Sequence, residues 1–388
     1  MPDLPQELVD AIVDEVPVSS LAACSLTAPA FVVSSQRRLF RWMSLHQIPS
    51  YERAAHLLAA SPHLGPYFRY LALDITGIPK DYVALKAILN VLSGLEYLTV
   101  LGDSPTAATS NQMAQNSCLI QLLSLPTLRC LGFQDLRDIP SSLISRALSS
   151  CEEVSLVRVS IADEWDDSAL VDEMPAPGDL WHLGVRADLF ETIMPFILHP
   201  KRIELLRQLE RFSVAFPPIP ESLQPSFKKF LVACSDTLEH LKIELEEPPT
   251  YLPTLPSLGL LELFLDVEYT KTPAVLHSII SGTLPSTPHL EVLVIAILDR
   301  PDGPHRPSRQ QWTGNRLAEW ADLDSTLMDV PSLCEVEFSL RAFNNTDQER
   351  YTAFIAYIEA HLPRSFDAGL LGFTYFPTYQ HPMDTFVG

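Results

Sequence analysis

Thr237-Leu238-Glu239-His240-Leu241-Lys242-Ile243 sets a leucine, a short gap and then apolar side chains at alternate positions. Period-2 alternation of this kind is the signature of a strand with one face in a core. The phrase recurs along the chain. Clear copies lie at 64–74, 95–100, 125–131, 151–156, 258–267, 288–293, 331–336 and 370–373, with weaker ones at 177–185 and 209–216. The residues between copies carry helical periodicity, as at 82–92 and 143–148. Strand followed by helix, repeated, predicts the α/β class with neighbouring strands parallel.

Taking Leu71, Leu98, Leu128, Val154, Leu180, Leu209, Leu241, Leu261, Leu290, Leu333 and Leu370 as one register gives intervals of 27, 30, 26, 26, 29, 32, 20, 29, 43 and 37. Most fall near the leucine-rich-repeat period of about 20–29 residues. Residues 46–388 thus resemble a leucine-rich-repeat solenoid, which implies parallel strands on a concave side and helices on a convex one. The Asn ladder of the consensus repeat is almost absent, so an irregular solenoid is expected. The intervals of 43 and 37 leave a separate α/β domain in the last third as an alternative. Residues 299–315, with Pro301, Pro304 and Pro307, are expected to form a long loop. Thr346 and Glu349 form a capping box, and Tyr351, Phe354, Ile355, Ile358 and Leu362 form one stripe, so 346–388 is expected to close the array.

Residues 1–45 read as three short helices. Asp3 can cap the first, whose Leu4, Leu8, Ile12 and Val16 recur every fourth residue. Pro17 stops it, Leu21 to Leu26 form the second, and the third runs from Ala30 to Trp42. So small a segment buries too little surface to be stable alone. Leu4-Pro5-Gln6-Glu7-Leu8, Ile12, Leu21-Ala22-Ala23-Cys24-Ser25-Leu26, Phe31 and Arg37-Arg38-Leu39-Phe40 resemble the F-box in order and spacing. The resemblance covers about 43 of 388 residues. It departs where the family often has Trp in place of Phe31, and in the short segment between the first two helices. It implies binding of the Skp adaptor, and through it a cullin scaffold, by Leu4, Pro5, Leu8, Ile12, Leu21, Cys24, Leu26 and Phe31. The combination resembles the F-box proteins with degenerate leucine-rich repeats that are frequent in fungi. It implies a substrate-recognition subunit of an SCF-type ubiquitin ligase. The alternatives are a helical cap on a leucine-rich interaction scaffold with no ligase role, and a hydrolase built from scattered histidines and carboxylates.

Composition narrows the partners. With 48 Asp+Glu against 27 Lys+Arg the formal charge is −21, which disfavours nucleic acid and anionic membranes. Only seven of the basic residues are lysines, and Pro (33) outnumbers Gly (14), which fits short elements joined by stiff turns. Six cysteines without a C-x-x-C pair predict reduced thiols. With the acidic N-terminal stretch, they predict a cytoplasmic or nuclear location.

Sites of chemistry are not apparent. The chain has no G-x-G-x-x-G, Gly-Lys-Ser/Thr, H-E-x-x-H or G-x-S-x-G, so no cofactor, metal or catalytic residue is expected. His182, His240 and His289 sit beside strand starts, and Asp322 and Asp324 fit a solvated helix face. Asp163-Glu164-Trp165-Asp166-Asp167, continuing to Asp172-Glu173, reads as a solvated loop or as a patch for a basic partner. Asn344-Asn345-Thr346 matches a sequon by chance. If Leu241, Ile243, Leu261, Leu263, Val336 and Phe338 point inward, alternate residues line the open strand face. These include Glu244, Glu246, Glu262, Phe264, Asp266, Glu335, Glu337 and Arg341, with Lys242 beside them. This set predicts a protein substrate that presents a basic segment.

Overall fold

The computed structural model describes residues 4–76, 82–102, 120, 122–162, 179–186, 190–200, 202–216, 224–245, 252–265, 272–299, 317–342 and 348–376. The chain divides into two compact units, Met1–Asp179 and Leu180–Gly388. Both are α/β, with every strand parallel to its paired neighbours. The acidic run from Asp163 to Glu173, Glu246, Asp266, the 300–315 part of the expected long loop, the sequon and Thr346 lie outside the described residues.

The first unit opens with helices α1 (Gln6–Glu15), α2 (Leu21–Thr27) and α3 (Pro29–Leu39). Pro5 occupies the N-cap of α1, and Pro29 begins α3 where its missing N–H costs nothing. The third helix does not reach Trp42 as expected. It ends at Leu39, and Trp42–Leu45 is strand β1. Met43 and Leu45 are buried while Trp42 and Ser44 face out, the period-2 pattern on four residues. Helix α4 (Ile48–Ala60), β2 (Tyr70–Asp74), α5 (Val83–Leu89) and β3 (Tyr97–Leu101) follow. The unit ends with β4 (Cys130–Gln134), α6 (Ser141–Ser150) and β5 (Glu153–Val157). Strands β1 to β5 pair in chain order. The Tyr51 hydroxyl donates to the Asp74 carbonyl at 2.7 Å and so ties α4 to β2.

The second unit carries β6 (His182–Arg186), α7 (Phe190–Ile197), β7 (Arg211–Phe216), α8 (Gln224–Ala233), β8 (His240–Leu245) and β9 (Leu260–Leu265). It continues through α9 (Thr272–Thr283), β10 (Val292–Asp299), α10 (Leu317–Met328) and β11 (Glu335–Ala342). Helices α11 (Gln348–His361) and α12 (Pro363–Asp367) precede the last strand, β12 (Leu371–Phe376). Strands β6 to β12 again pair in chain order.

The pairing corrects the register. Leu71, Leu98, Leu131 and Val154 are opposite one another in the first unit. Leu183, Phe212, Leu241, Leu261, Leu293, Val336 and Leu371 are opposite one another in the second. Leu128, Leu180, Leu209, Leu290 and Leu333 each fall three residues early, and Leu370 one. From Leu183 through Phe212 to Leu241 the interval is 29 and 29. The cause is a second apolar position three residues before the strand position. Leu95, Leu128, Leu180, Leu209, Leu238, Leu258 and Leu290 are all buried, as is Cys151. Each of these repeats therefore seats two apolar side chains in the core, at about 1.5–3 kcal/mol for each large aliphatic side chain when fully buried.

Asp324 does not lie on the solvated helix face expected for it. It is buried, and its carboxylate accepts hydrogen bonds from the Ser365 amide at 2.9 Å, the Ser365 hydroxyl at 2.6 Å and the Arg364 amide at 3.0 Å. It thus caps α12 from another helix, satisfying orphan donors at that helix start. Gly94 lies where a Cβ would sit 2.5 Å from the Pro66 carbonyl oxygen, so the approach of adjacent repeats requires glycine. Among the described residues, no helix is long and apolar enough to cross a membrane.

Candidate functional site

Helix α1 has two apolar faces. Val9 and Val13 are buried against Leu21, with Val16, Cys24, Phe31 and Leu39 packed around them. Leu4, Leu8 and Ile12 are roughly half exposed, at 52%, 52% and 46%, and Val18 and Leu26 stand out further. The expected stripe of Leu4, Leu8, Ile12 and Val16 is therefore split. Val16 joins the interior, and the residues that hold the three helices together are Val9 and Val13. Of the residues expected to meet an adaptor, Leu4, Pro5, Leu8, Ile12 and Leu26 are on the surface. Leu21 is fully buried, and Cys24 and Phe31 pack against the same interior. A 3.6-residue period admits both Leu8/Ile12 and Val9/Val13 as faces, and only the position of α3 decides between them.

Polar contacts fix α1 on α3. Asp10 accepts from the Ser34 hydroxyl and, at 2.8 Å, from Gln6 Nε2, which hold its carboxyl below the ordinary carboxylate range. Arg38 donates to the carbonyls of Val13 and, at 2.8 Å, Val16, capping the C-terminus of α1 where a cation suits the helix dipole. Leu8 and Ile12, with Leu4 just before the helix start, are thus presented on a helix whose other side is tied down at both ends.

The outward face of β1 to β5 carries a ladder. Trp42 stacks on Tyr70 with centroids 4.0 Å apart and planes 6° apart, and Tyr70 stacks on Tyr97 at 4.3 Å. The next residues in this row are Cys130 and Glu153. Burial, then the neighbouring Cys130, pushes the Tyr97 phenol up to about 12. Burial and Glu153 likewise drive the Cys130 thiol far above its ordinary value. The row one residue earlier alternates in charge. Arg69 pairs with Glu96 at 2.9 Å and Arg129 with Glu152 at 2.7 Å, each across one strand step.

In the second unit, the residues expected to receive a basic segment are largely engaged. Glu262 binds His240 Nε2 at 2.8 Å and Lys242 Nζ at 3.6 Å, and all three side chains are mostly buried. Lys242 Nζ also lies 4.7 Å from the centroid of Phe264, whose ring is fully buried rather than open to solvent. Glu244 is half-buried beside Phe264 on the next strand. Glu337 accepts from the Thr374 hydroxyl across the β11–β12 pair, and Glu335 is exposed. The sequence pattern gave no sign that Lys242 and His240 engage Glu262, or that Phe264 is buried.

Among the described residues, no three His, Cys, Asp or Glu side chains gather where they could hold a metal ion. His182 reaches Ser213 at 3.3 Å, His240 reaches Glu262, and His289 is exposed in the turn before β10. No family model matches the chain, and no curated protein matches it.

Proposed function

We propose that this chain is a non-catalytic substrate receptor of an SCF-type ubiquitin ligase. Its N-terminal helices act as an F-box that binds the Skp adaptor and, through it, a cullin. Its strand–helix repeats act as a leucine-rich solenoid that holds a protein substrate. The observation that carries this reading is the exposed apolar pair Leu8 and Ile12, with Leu4 just before the helix, on a helix whose opposite face, Val9 and Val13, is already buried. An amphipathic helix needs one apolar face to join its own domain, and a second face fits a groove on a partner. The mechanism is proximity: the receptor raises the local concentration of substrate near the loaded ubiquitin carrier, with no acid–base step in this chain.

The test is co-purification with the Skp adaptor of the full chain and of the full chain carrying Leu8→Asp and Ile12→Asp. Saturable one-to-one binding by the first and none by the second, with both folded, supports the receptor. No binding by the folded wild-type chain would leave a leucine-rich interaction scaffold and remove the ligase role.

A further inference from the structure

The alternating charge row of the first unit is incomplete at one end. One residue before each strand pair, β1 to β5 bring Arg41, Arg69, Glu96, Arg129 and Glu152 side by side. Arg69 takes Glu96 and Arg129 takes Glu152. Arg41 is left next to Arg69, with no carboxylate within ion-pair distance among the described residues. Both faces of the Tyr70 ring are stacked, by Trp42 and Tyr97, and the Arg41 guanidinium lies 5.1 Å from its centroid and donates to its hydroxyl at 3.1 Å. It is exposed yet held in place. Arg37, one helical turn earlier, is also exposed and lies 6.0 Å from the Tyr67 ring, with only a weak attraction toward Asp10. Trp42 is 44% exposed, and its second face carries no ring or cation among the described residues.

We infer that this rim is a docking site for an acidic peptide segment of a partner protein. A carboxylate of the segment completes the charge row on Arg41, with Arg37 adding to the field, and a flat side chain continues the stack on Trp42. The choice of an acidic occupant rests on charge. In a chain of net −21, a fixed arginine without a carboxylate, at the end of a row where the others have one, is complementary to an anionic group. An aromatic anchor beside an arginine is also the composition in which binding energy concentrates. The site does not depend on the adaptor reading, since it uses none of Leu4, Leu8 or Ile12.

The experiment is fluorescence anisotropy with the full chain and a labelled Glu-Glu-Trp-Gly repeat peptide, against the same peptide with Lys for Glu. The expected result is saturable binding of the acidic peptide only. Arg41→Glu should weaken it at least about tenfold, and Trp42→Ala should weaken it as well. Arg53→Glu, the same charge change at an exposed site on α4, should alter it less than about twofold. Equal weakening by Arg41→Glu and Arg53→Glu would show a general charge effect and overturn the site. So would no saturable binding, or equal binding of the two peptides. Thermal melts of each variant confirm folding, and Arg41→Lys, which keeps the charge, should retain part of the affinity. Adaptor capture by Arg41→Glu should be unchanged. Loss of it with peptide binding intact would assign the arginine to the adaptor and overturn the proposal.

Discussion

Leu8 and Val9 are adjacent in sequence and opposite in environment: Leu8 is 52% exposed and Val9 is 1% exposed. One residue is about 100° of helix, enough to carry a side chain from solvent into the contact with Leu21. The pair therefore separates binding from folding. Leu8→Asp with Ile12→Asp should change stability by no more than about 0.5 kcal/mol each, as for surface positions, while abolishing adaptor capture. Val9→Asp should unfold the three-helix segment, because it places an unpaired charge in an apolar interior. Circular dichroism melts run beside the pull-down check both halves. If the Leu8/Ile12 variant unfolds as readily as Val9→Asp, the exposed row is structural and the adaptor reading fails.

Asp324 supplies the start of α12 from a distance of forty residues in sequence. Three donors converge on it, two of them backbone amides. Hydrogen bonds to a charged group contribute about 1.5–3 kcal/mol, and leaving the donors buried without a partner costs more than the mean. Asp324→Ala should therefore destabilise the second unit by about 2–4 kcal/mol in urea titration. Asp322→Ala, at an exposed position on the same helix, should be within about 0.5 kcal/mol of wild type.

The α/β class with parallel strands was legible because alternation survives degeneracy: Leu241 and Ile243, or Leu261 and Leu263, betray a half-buried strand without help from neighbours. Register was not, because Leu238 and Leu241 are equally buried and the sequence offers no mark of which one enters the ladder. β1 was missed for a related reason. Trp42-Met43-Ser44-Leu45 is short, follows a helix ending in arginines, and becomes a strand only through Met43 opposite Leu71 and Leu45 opposite Leu73. Side-chain partners across the ladder were the least legible. Arg41, Arg69 and Glu96 are some thirty residues apart in sequence, and only the repeat length brings them abreast.

Gly94 tests the contact between repeats. A methyl group there meets the Pro66 carbonyl oxygen at 2.5 Å, a backbone atom that cannot rotate away. Gly94→Ala should cost about 1–3 kcal/mol by overpacking, despite the helix and strand propensities that ordinarily favour alanine. Gly259, where the nearest atom to a Cβ is 3.9 Å away, is the control and should tolerate alanine. Chemical denaturation of the two variants decides it.

Buried acids set the alkaline limit. Burial pushes the thiols of Cys151 and Cys234 and the phenol of Tyr97 up to about 12 in the folded chain. Their ordinary values are 9.0 for the thiols and 10.0 for the phenol. Between these values the folded state holds protons that the unfolded state has released, so stability falls as pH rises. Below about pH 9 the contribution is fully present, and by about pH 12 it is lost. Thermal midpoints should be flat from neutrality to about pH 8.5 and then drop steeply. Cys234→Ala should shallow that drop, after allowance for the lost packing. Thiol labelling at neutral pH should follow exposure, with exposed Cys334 modified and Cys130, Cys151 and Cys234 protected until unfolding.

Glu262 and Glu335 both belong to the acidic strand face, and they should behave differently. Reversing Glu262 removes the partner of Lys242 and His240 and adds a third basic side chain to a mostly buried cluster. Glu262→Lys should destabilise the second unit by about 3 kcal/mol or more, because breaking a buried pair leaves charge uncompensated. Any loss of substrate capture by that variant would report on folding. Glu335 is exposed, so Glu335→Lys should leave the urea midpoint nearly unchanged. It is the substitution that tests whether this face holds a basic segment. Loss of capture by folded Glu335→Lys would place the substrate there. Unchanged capture would remove the basic-segment expectation from this end of the repeats and leave the Arg41–Trp42 rim as the docking surface to pursue.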